Sequence, residues 1–278
     1  MIALIAGQGA LPGVVRAALE AQGQTVDVYA LEGYPPDDLT AEPFRIEQLG
    51  TLLNSLAERG ANKVCFAGSV ARPKIDPSKI DAATMPLVPR MMQALHVGDD
   101  AALRIVLDFF QEAGMTPVAA HDLCPDLLPP EGPMVGEMSE RDQKDLARAQ
   151  TVHAGLGALD IGQSVVVTGG QVLAVEALPG TDWMLRSIAA PLEQGGAKFS
   201  YENFVRPEGG VLYKGPKPGQ DRRIDLPVIG PQTVQLAAQA GLRGIVIEAQ
   251  GVMVLDQETT AQIARDAGLF LCVLGRDT

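Results

Sequence analysis

The chain alternates short apolar runs with amphipathic stretches from its first residues onward. Ile2–Ala6 is a continuous apolar run that ends at a glycine, and an amphipathic stretch follows over residues 14–22. Two further β-rich runs follow at 25–31 and 63–67. Strands that alternate with helices predict a parallel sheet with right-handed crossovers. We therefore expect an α/β fold that begins with a Rossmann-like parallel sheet.

A length of 278 residues favours two domains over one. The segment 124–136 is rich in proline and has no periodicity, so we place the domain boundary near residue 135. Beyond it, Ser139 to Asp142 resembles a capping box, and Gly169-Gly170 between two β-branched runs predicts a hairpin. We expect residues 1–135 to form a nucleotide-binding domain and residues 136–278 a mixed α/β catalytic domain.

The composition excludes several classes of protein. A net charge of −12 repels the phosphates of nucleic acid and opposes strong adsorption to an anionic membrane. The three cysteines have no short spacing that would indicate a disulfide or a thiolate metal site. The first residues lack the basic start and the long apolar core that are typical of a signal peptide, and no apolar run reaches the roughly 18 residues that span a bilayer. We expect a cytoplasmic protein without a nucleic-acid partner, whose contact with a membrane is peripheral.

The turn after the first strand is a candidate phosphate site. A glycine-rich turn that opens a helix presents backbone N–H groups and the positive end of the helix dipole to an anion. Pro12 stands where a dinucleotide fingerprint has its third glycine, and a simple tight turn is the structural alternative. The candidate substrate-binding residues of this turn are Gly7, Gln8, Gly9, Ala10 and Leu11.

Four other residues, in three segments, are candidates for substrate binding. Gly68 and Ser69 follow the strand at 63–67, where ligands of open α/β sheets bind. Asp99 precedes a predicted helix, so it could be an N-cap or could bind a ribose hydroxyl, Mg²⁺ or a uracil edge. Thr181 opens a later helix, where it could cap the helix or lie beside an anion.

The densest group of charged residues lies between 214 and 227. Lysine and arginine neutralise phosphate oxygens, and carboxylates hold a divalent cation or orient water. Asp225 precedes an apolar stretch, where a carboxylate is costly without a partner or a task, whereas a solvated loop is the structural alternative. We expect catalytic roles for Asp221 and Asp225, with Asp225 also a metal ligand, and substrate binding by Lys214, Lys217, Gln220 and Arg223.

These segments, in this order, resemble the LpxI-type UDP-2,3-diacylglucosamine pyrophosphatases of lipid A biosynthesis. The resemblance rests on the turn at 7–12, on 67–73, 98–100 and 176–182, and on 214–230. It implies hydrolysis of UDP-2,3-diacylglucosamine to 2,3-diacylglucosamine 1-phosphate (lipid X) and UMP, with Mg²⁺ as cofactor and Asp225 as the essential aspartate. Ser69 departs from the family, in which many members have lysine.

The resemblance also implies partners, and it leaves rival functions open. UDP-2,3-diacylglucosamine and lipid X would be the small-molecule partners, contact with the inner membrane would be peripheral, and the chain could form a homo-oligomer. One rival is a nicotinamide-dependent oxidoreductase, since Glu32 stands where a ribose-binding acid would be. The other is a protein that binds the sugar nucleotide without cleaving it.

Overall fold

The computed structural model describes residues 1–71, 73–94, 99–189 and 209–275, with the backbone alone at 99 and 100. The chain divides into two compact units. The first comprises Met1–Asp126 and Asp221–Asp225, and the second comprises Leu127–Gln220 and Leu226–Thr278. Among the residues that the structure describes, no helix combines the length and the apolar character that crossing a bilayer requires.

The first unit is a five-stranded parallel sheet with helices between its strands. Its elements are β1 (Ile2–Ala6), α1 (Leu11–Ala21), β2 (Val26–Leu31), β3 (Glu42–Phe44), α2 (Leu49–Glu58), β4 (Lys63–Ala67), α3 (Val88–Ala94), α4 (Asp99–Glu112), β5 (Thr116–Pro117) and α5 (Ala120–Leu123). The strand order is β3-β2-β1-β4-β5, and every pair is parallel. The expected Rossmann-like sheet is confirmed.

The central strand of this sheet explains where a ligand can bind. All five residues of β1 are buried, as expected for a strand covered on both faces. The chain continues from β1 to β2 on one side, while β4 lies on the other side of β1. The strand order therefore reverses between β1 and β4, and such a switch point forms a crevice at the carboxyl ends of the strands.

The second unit is built around a mixed sheet. Its elements are β6 (Gly132–Val135), α6 (Glu140–Ala158), β7 (Ser164–Thr168), β8 (Gln171–Val175), α7 (Gly180–Ala189), β9 (Val211–Lys214), β10 (Val228–Ile229), α8 (Pro231–Gln239), β11 (Gly244–Glu248), β12 (Met253–Val254), α9 (Gln257–Asp266) and β13 (Phe270–Leu274). The sheet has the order β6-β13-β11-β9-β7-β8. Strands β9, β11 and β13 are parallel, whereas β6, β7 and β8 pair antiparallel. The expected mixed α/β fold is confirmed.

Two local predictions for the second unit are confirmed. Helix α6 begins with a capping box, in which the Ser139 hydroxyl accepts from the Asp142 N–H and the Asp142 carboxylate accepts from the Ser139 N–H. Strands β7 and β8 form the hairpin, and the N–H groups of Gly169 and Gly170 donate to the buried Asp145 carboxylate at 3.0 and 2.7 Å. One buried carboxylate thus stabilises the start of α6, and another stabilises the turn of the hairpin.

The structure differs from the sequence-based expectation at the domain boundary. We expected a connection over 124–136 with the boundary near 135, whereas the units divide between Asp126 and Leu127. The reason is that Leu127 is buried and that β6 pairs with β13 of the second sheet. A second difference is that Asp221–Asp225 groups with the first unit, although we expected it in the second domain.

Candidate functional site

The turn after β1 is joined to the end of β4 by backbone hydrogen bonds. Gly7 N–H donates to the Ala67 carbonyl at 2.7 Å, and Gln8 and Ser69 exchange two bonds at 2.9 and 3.0 Å. A Cβ at position 7 would stand 2.5 Å from the Ser69 oxygen, and one at Gly68 would stand 2.7 Å from the backbone of Gln8. Glycine is required at both positions because the two backbones approach so closely.

This pairing determines which amides of the turn could meet a phosphate. The amides of Gly7 and Gln8 already donate to carbonyls, so they are not the anion donors that we expected. Gly9 has φ +94° and leads into α1, whose first residue is Leu11. The amides of Gly9, Ala10 and Leu11 donate to no acceptor in the described part of the chain, and they remain candidates for an anion.

Two sequence-predicted positions are described only in part or not at all. Asp99 is the first residue of α4, so its backbone lies at a helix N-terminus, while its side chain lies outside the described part. Arg72, in the segment 67–73 on which the family resemblance rests, lies outside the described residues. Ser69 itself is exposed beside the turn.

Residues 221–225 form a tight turn in the first unit. The N–H groups of Ile224 and Asp225 both lie 3.2 Å from the Asp221 carbonyl, to which they donate. The Arg223 guanidinium donates to both Asp221 carboxylate oxygens, at 2.9 and 2.6 Å. Hydrogen bonds from Arg223 hold the pKa of Asp221 below its ordinary value. Asp221 therefore orients Arg223, and the catalytic role that we expect for Asp221 stays a prediction.

This turn lies in an electrostatic environment formed by α4 and α5. Asp221 experiences the positive charge of Arg104, and Arg223 experiences the negative charge of Asp108, one helical turn further along α4. Burial lowers the pKa of His121 on α5, and the charge of Arg222 reinforces the shift. Charged groups on α4 thus interact electrostatically with Asp221 and Arg223 of the turn.

Asp225 ends this turn at the edge of a buried stretch. Asp225 is half-buried, and the following residues in sequence, Leu226 and Pro227, are buried. Its N–H donates to the Asp221 carbonyl, so the backbone of the turn positions it. The burial of Leu226 and Pro227 agrees with the expectation that Asp225 stands at the edge of a buried apolar stretch.

The second unit contains a buried hydrogen-bonded network around Lys214. Lys214 is 6% exposed, and its Nζ donates to Thr181 Oγ1 at 2.9 Å and to the Val228 carbonyl at 3.0 Å. Thr181 Oγ1 donates to Glu176 Oε2 at 2.7 Å and lies 3.2 Å from Ser164 Oγ. The structure thus brings the predicted residues Lys214 and Thr181 together and adds Ser164, which sequence reasoning missed.

Lys217 and Gln220 are held by contacts within the second unit. Lys217 Nζ forms an ion pair with Asp160 at 2.5 Å, and its N–H donates to Gln220 Oε1 at 2.9 Å. Gln220 is buried, with its N–H 3.3 Å from the Lys217 carbonyl. Asp160 is a residue that sequence reasoning missed, because its proximity to Lys217 arises only from the tertiary fold.

The side chains that the structure describes fit Mg²⁺ only if phosphate oxygens of a substrate complete its coordination. Among the residues that the structure describes, no group of three or more His, Cys, Asp or Glu side chains could hold a metal ion. Mg²⁺ in phosphate enzymes is commonly bound by one or two carboxylates together with phosphate oxygens and water. The half-buried Asp225 carboxylate fits that pattern. Burial raises the pKa of the Cys65 thiol to about 12, which argues against a thiolate ligand there.

Glu32, the residue that raised the possibility of nicotinamide binding, is engaged elsewhere. Its carboxylate pairs with Arg45, and its N–H donates to the Phe44 carbonyl at 2.8 Å. Arg45 also approaches the buried Glu47 at 3.3 Å. Glu32 is therefore part of an ion-pair cluster at the β2–β3 edge of the first sheet.

Comparison with known proteins covers both units. Two protein-family models match the chain, LpxI N-terminal domain over residues 1–127 and LpxI C-terminal domain over residues 130–272. A relative from Caulobacter vibrioides, UDP-2,3-diacylglucosamine pyrophosphatase LpxI, is 40% identical over 281 aligned positions. The alignment covers 99% of this chain and 97% of the relative, so the similarity extends over nearly the full length of both proteins.

Proposed function

The chain belongs to the LpxI family, and on that basis we propose that it hydrolyses the diphosphate bond of UDP-2,3-diacylglucosamine. The products are UMP and 2,3-diacylglucosamine 1-phosphate, lipid X, an intermediate of lipid A biosynthesis. The observation that carries the proposal is the 40% identity to a pyrophosphatase with this substrate over 99% of the chain. The oxidoreductase alternative has no comparable support, since Glu32 is engaged by Arg45.

We assign binding of the diphosphate to local groups that attract an anion even though the net charge of the protein is negative. The amides of Gly9, Ala10 and Leu11 lie at the N-terminus of α1, where the helix dipole favours negative charge. Arg223, in the same unit, supplies positive charge and is held by its ion pair with Asp221, whereas binding of the substrate by Lys214 and Lys217 of the second unit stays a separate prediction. Local placement of this kind is needed because the net charge of −12 opposes the substrate.

We assign the chemical step to Asp225. A carboxylate fixed at the end of a turn can orient an attacking water and accept its proton as the water attacks phosphorus. Mg²⁺ held by Asp225 and the substrate's phosphate oxygens would neutralise charge on the diphosphate. Arg223, held by Asp221, would neutralise charge on the leaving phosphate.

The diacylated substrate resides in a membrane, so access to it requires contact with a lipid surface. We propose that the enzyme works at the cytoplasmic face of the inner membrane and that this contact is peripheral. An acidic chain is attracted only weakly to anionic lipids, so contact with the apolar acyl groups of the substrate would supply most of the attraction between the protein and the membrane.

Substitution of Asp225 tests the catalytic assignment. Asp225→Asn keeps the shape of the side chain but removes the negative charge that binds Mg²⁺ and accepts a proton. We expect kcat to fall by about 1000-fold or more while KM changes little, measured as UMP released with Mg²⁺ present. Asp266→Asn, which changes an exposed carboxylate on α9, is the control and should retain full activity. Turnover in Asp225→Asn close to that of the unaltered enzyme would refute the assignment.

A further inference from the structure

Residues 215–220 form an irregular segment after β9, which we call the basic loop. It carries Lys217 and Gln220, two of the candidate substrate-binding residues, yet it has no regular secondary structure. A loop without a hydrogen-bond ladder needs other contacts to adopt one conformation, because each ordered residue costs conformational entropy. The contacts that order this loop come mainly from the C-terminal end of α6.

The first contact joins α6 to the start of the basic loop. His153 is buried, and its Nε2 lies 2.9 Å from the Gly215 carbonyl, to which the Nε2–H tautomer donates. The ring also packs edge-on against Tyr213, with 5.2 Å between ring centroids. Gly215 N–H in turn donates to the Gln163 carbonyl at 3.1 Å. Both backbone polar groups of Gly215 are therefore satisfied within the second unit.

The second kind of contact pairs each proline of the basic loop with a glycine. A Cβ at Gly157 would stand 2.6 Å from Cδ of Pro218, and a Cβ at Gly251 would stand 2.8 Å from Cδ of Pro216. Real Cβ atoms do not approach other atoms so closely, so any larger residue would displace the loop or the opposing segment. Two glycines on different elements thus leave room for the two rigid prolines.

The third contact is an ion pair that fixes the side chain of Lys217. Asp160 follows the end of α6 in a left-handed conformation with φ 58°, and it pairs with Lys217 Nζ at 2.5 Å. His153 and Gly157 are four residues apart and therefore share one face of α6. The end of this helix consequently contacts the basic loop at its beginning, at Lys217 and at Pro218.

We propose that His153 and Gly157 are positioning residues, which hold the basic loop in the conformation that presents Lys217 and Gln220 to the substrate. This inference rests on the proposed function. A preorganised loop binds with less loss of conformational entropy, so a displaced loop should weaken binding without changing the chemical step at Asp225. Neither residue needs to touch the substrate for this effect.

A pair of glycine-to-alanine variants on the same helix tests the steric part. Gly157→Ala places a methyl group against Pro218, whereas Gly155→Ala faces no atom within 4 Å. Both changes raise helix propensity equally, so any difference between them reports the loop. We expect KM for UDP-2,3-diacylglucosamine to rise about tenfold in Gly157→Ala, roughly the loss of one charged hydrogen bond, with kcat nearly unchanged. Gly155→Ala should match the unaltered enzyme.

Two variants of His153 test the hydrogen bond separately from the packing. Gln places an amide N–H within reach of the Gly215 carbonyl, whereas Phe keeps an aromatic ring against Tyr213 but cannot donate. We expect the KM of His153→Gln to stay within about threefold of the unaltered value and that of His153→Phe to rise about tenfold. Thermal unfolding of both variants identifies any general loss of structure.

The outcomes separate this inference from the function on which it rests. An unaltered enzyme that releases no UMP would overturn the proposed function and this inference together. An active enzyme with the same KM in Gly157→Ala as in Gly155→Ala would overturn the inference alone. A fall in kcat without a rise in KM, or poorer binding in His153→Gln than in His153→Phe, would also contradict it.

Discussion

Lys214 illustrates how a charged side chain is kept in the interior of the second unit. An ammonium group that leaves water needs partners, since the loss of hydration is not otherwise compensated. Thr181 and the Val228 carbonyl accept from Lys214, and Glu176 supplies a negative charge one hydrogen bond away, through Thr181. The Thr181 hydroxyl is the central member of this network because it connects the lysine with the carboxylate.

Replacement of Thr181 should therefore destabilise the protein. Thr181→Val keeps the shape but leaves Lys214 and Glu176 without their shared partner, so we expect the free energy of unfolding to fall by about 1–3 kcal/mol. Thr181→Ser retains the hydroxyl, so its free energy of unfolding should fall by less than that of Thr181→Val. Equilibrium unfolding in urea measures both variants. Equal stability of Thr181→Val and the unaltered protein would show that the network contributes nothing.

The residue types of the candidate site could be predicted from the sequence, but their partners could not. Asp225 was identified because a carboxylate before an apolar stretch is unusual, and the structure leaves it half-buried at the edge of that stretch. The sequence predicts that Lys217 binds substrate, but its ion pair with Asp160, which is distant in sequence, could not be predicted. Likewise, the sequence predicts that Gly7 lies in a phosphate turn and Gly68 at a ligand-binding strand end, but the close approach of the two backbones that requires both glycines could not be predicted.

At the level of elements, the start of α6 depends on a buried carboxylate. Burial alone would raise the pKa of Asp142, but hydrogen bonds from Ser139 and Arg243 outweigh it, so the pKa lies below its ordinary value. The pKa of this carboxyl group is lower in the folded state than in the unfolded state, where it is near 4. Its ionised form therefore stabilises the fold at pH values above the unfolded pKa. That stabilisation is lost as the pH falls through the folded pKa. The capping box should therefore weaken in acid.

Asp142→Asn tests this pH dependence. At pH 7 we expect the variant to be about 1–2 kcal/mol less stable, because the charged cap and the ion pair with Arg243 are lost. The difference from the unaltered protein should shrink below about pH 4 and vanish once Asp142 is protonated in the folded state. Urea unfolding at a series of pH values measures it, with the exposed Glu137→Gln as control. A difference that is constant with pH would contradict this account.

The elements that could be predicted are those whose apolar residues are continuous. Strands β1 and β4 have the bounds expected from their apolar and β-rich runs. Strands β3 and β6 were missed because each is short and contains a proline, and such residues occur in edge strands where no ladder bond is lost. Both strands indeed lie at sheet edges, a position that only the completed sheet reveals.

For the whole molecule, the division into units could be predicted only in outline. Two α/β units of the expected kinds are present, but the first one includes five residues from far along the chain, Asp221–Asp225. Local composition could not indicate this, because the charged groups on α4 that interact electrostatically with the segment lie more than 100 positions earlier in sequence. The charged run at 214–227 is thus divided between the units, with Lys214 and Lys217 in one and Asp225 in the other.

Phosphorus NMR of the unaltered protein mixed with UDP-2,3-diacylglucosamine and Mg²⁺ tests the central claim most directly. Cleavage of the diphosphate should replace its two resonances with those of two phosphate monoesters, UMP and the sugar 1-phosphate. The same sample with Asp225→Asn should retain the diphosphate resonances. If the unaltered protein binds the substrate and the diphosphate resonances persist, the chain is a binding protein and not a pyrophosphatase.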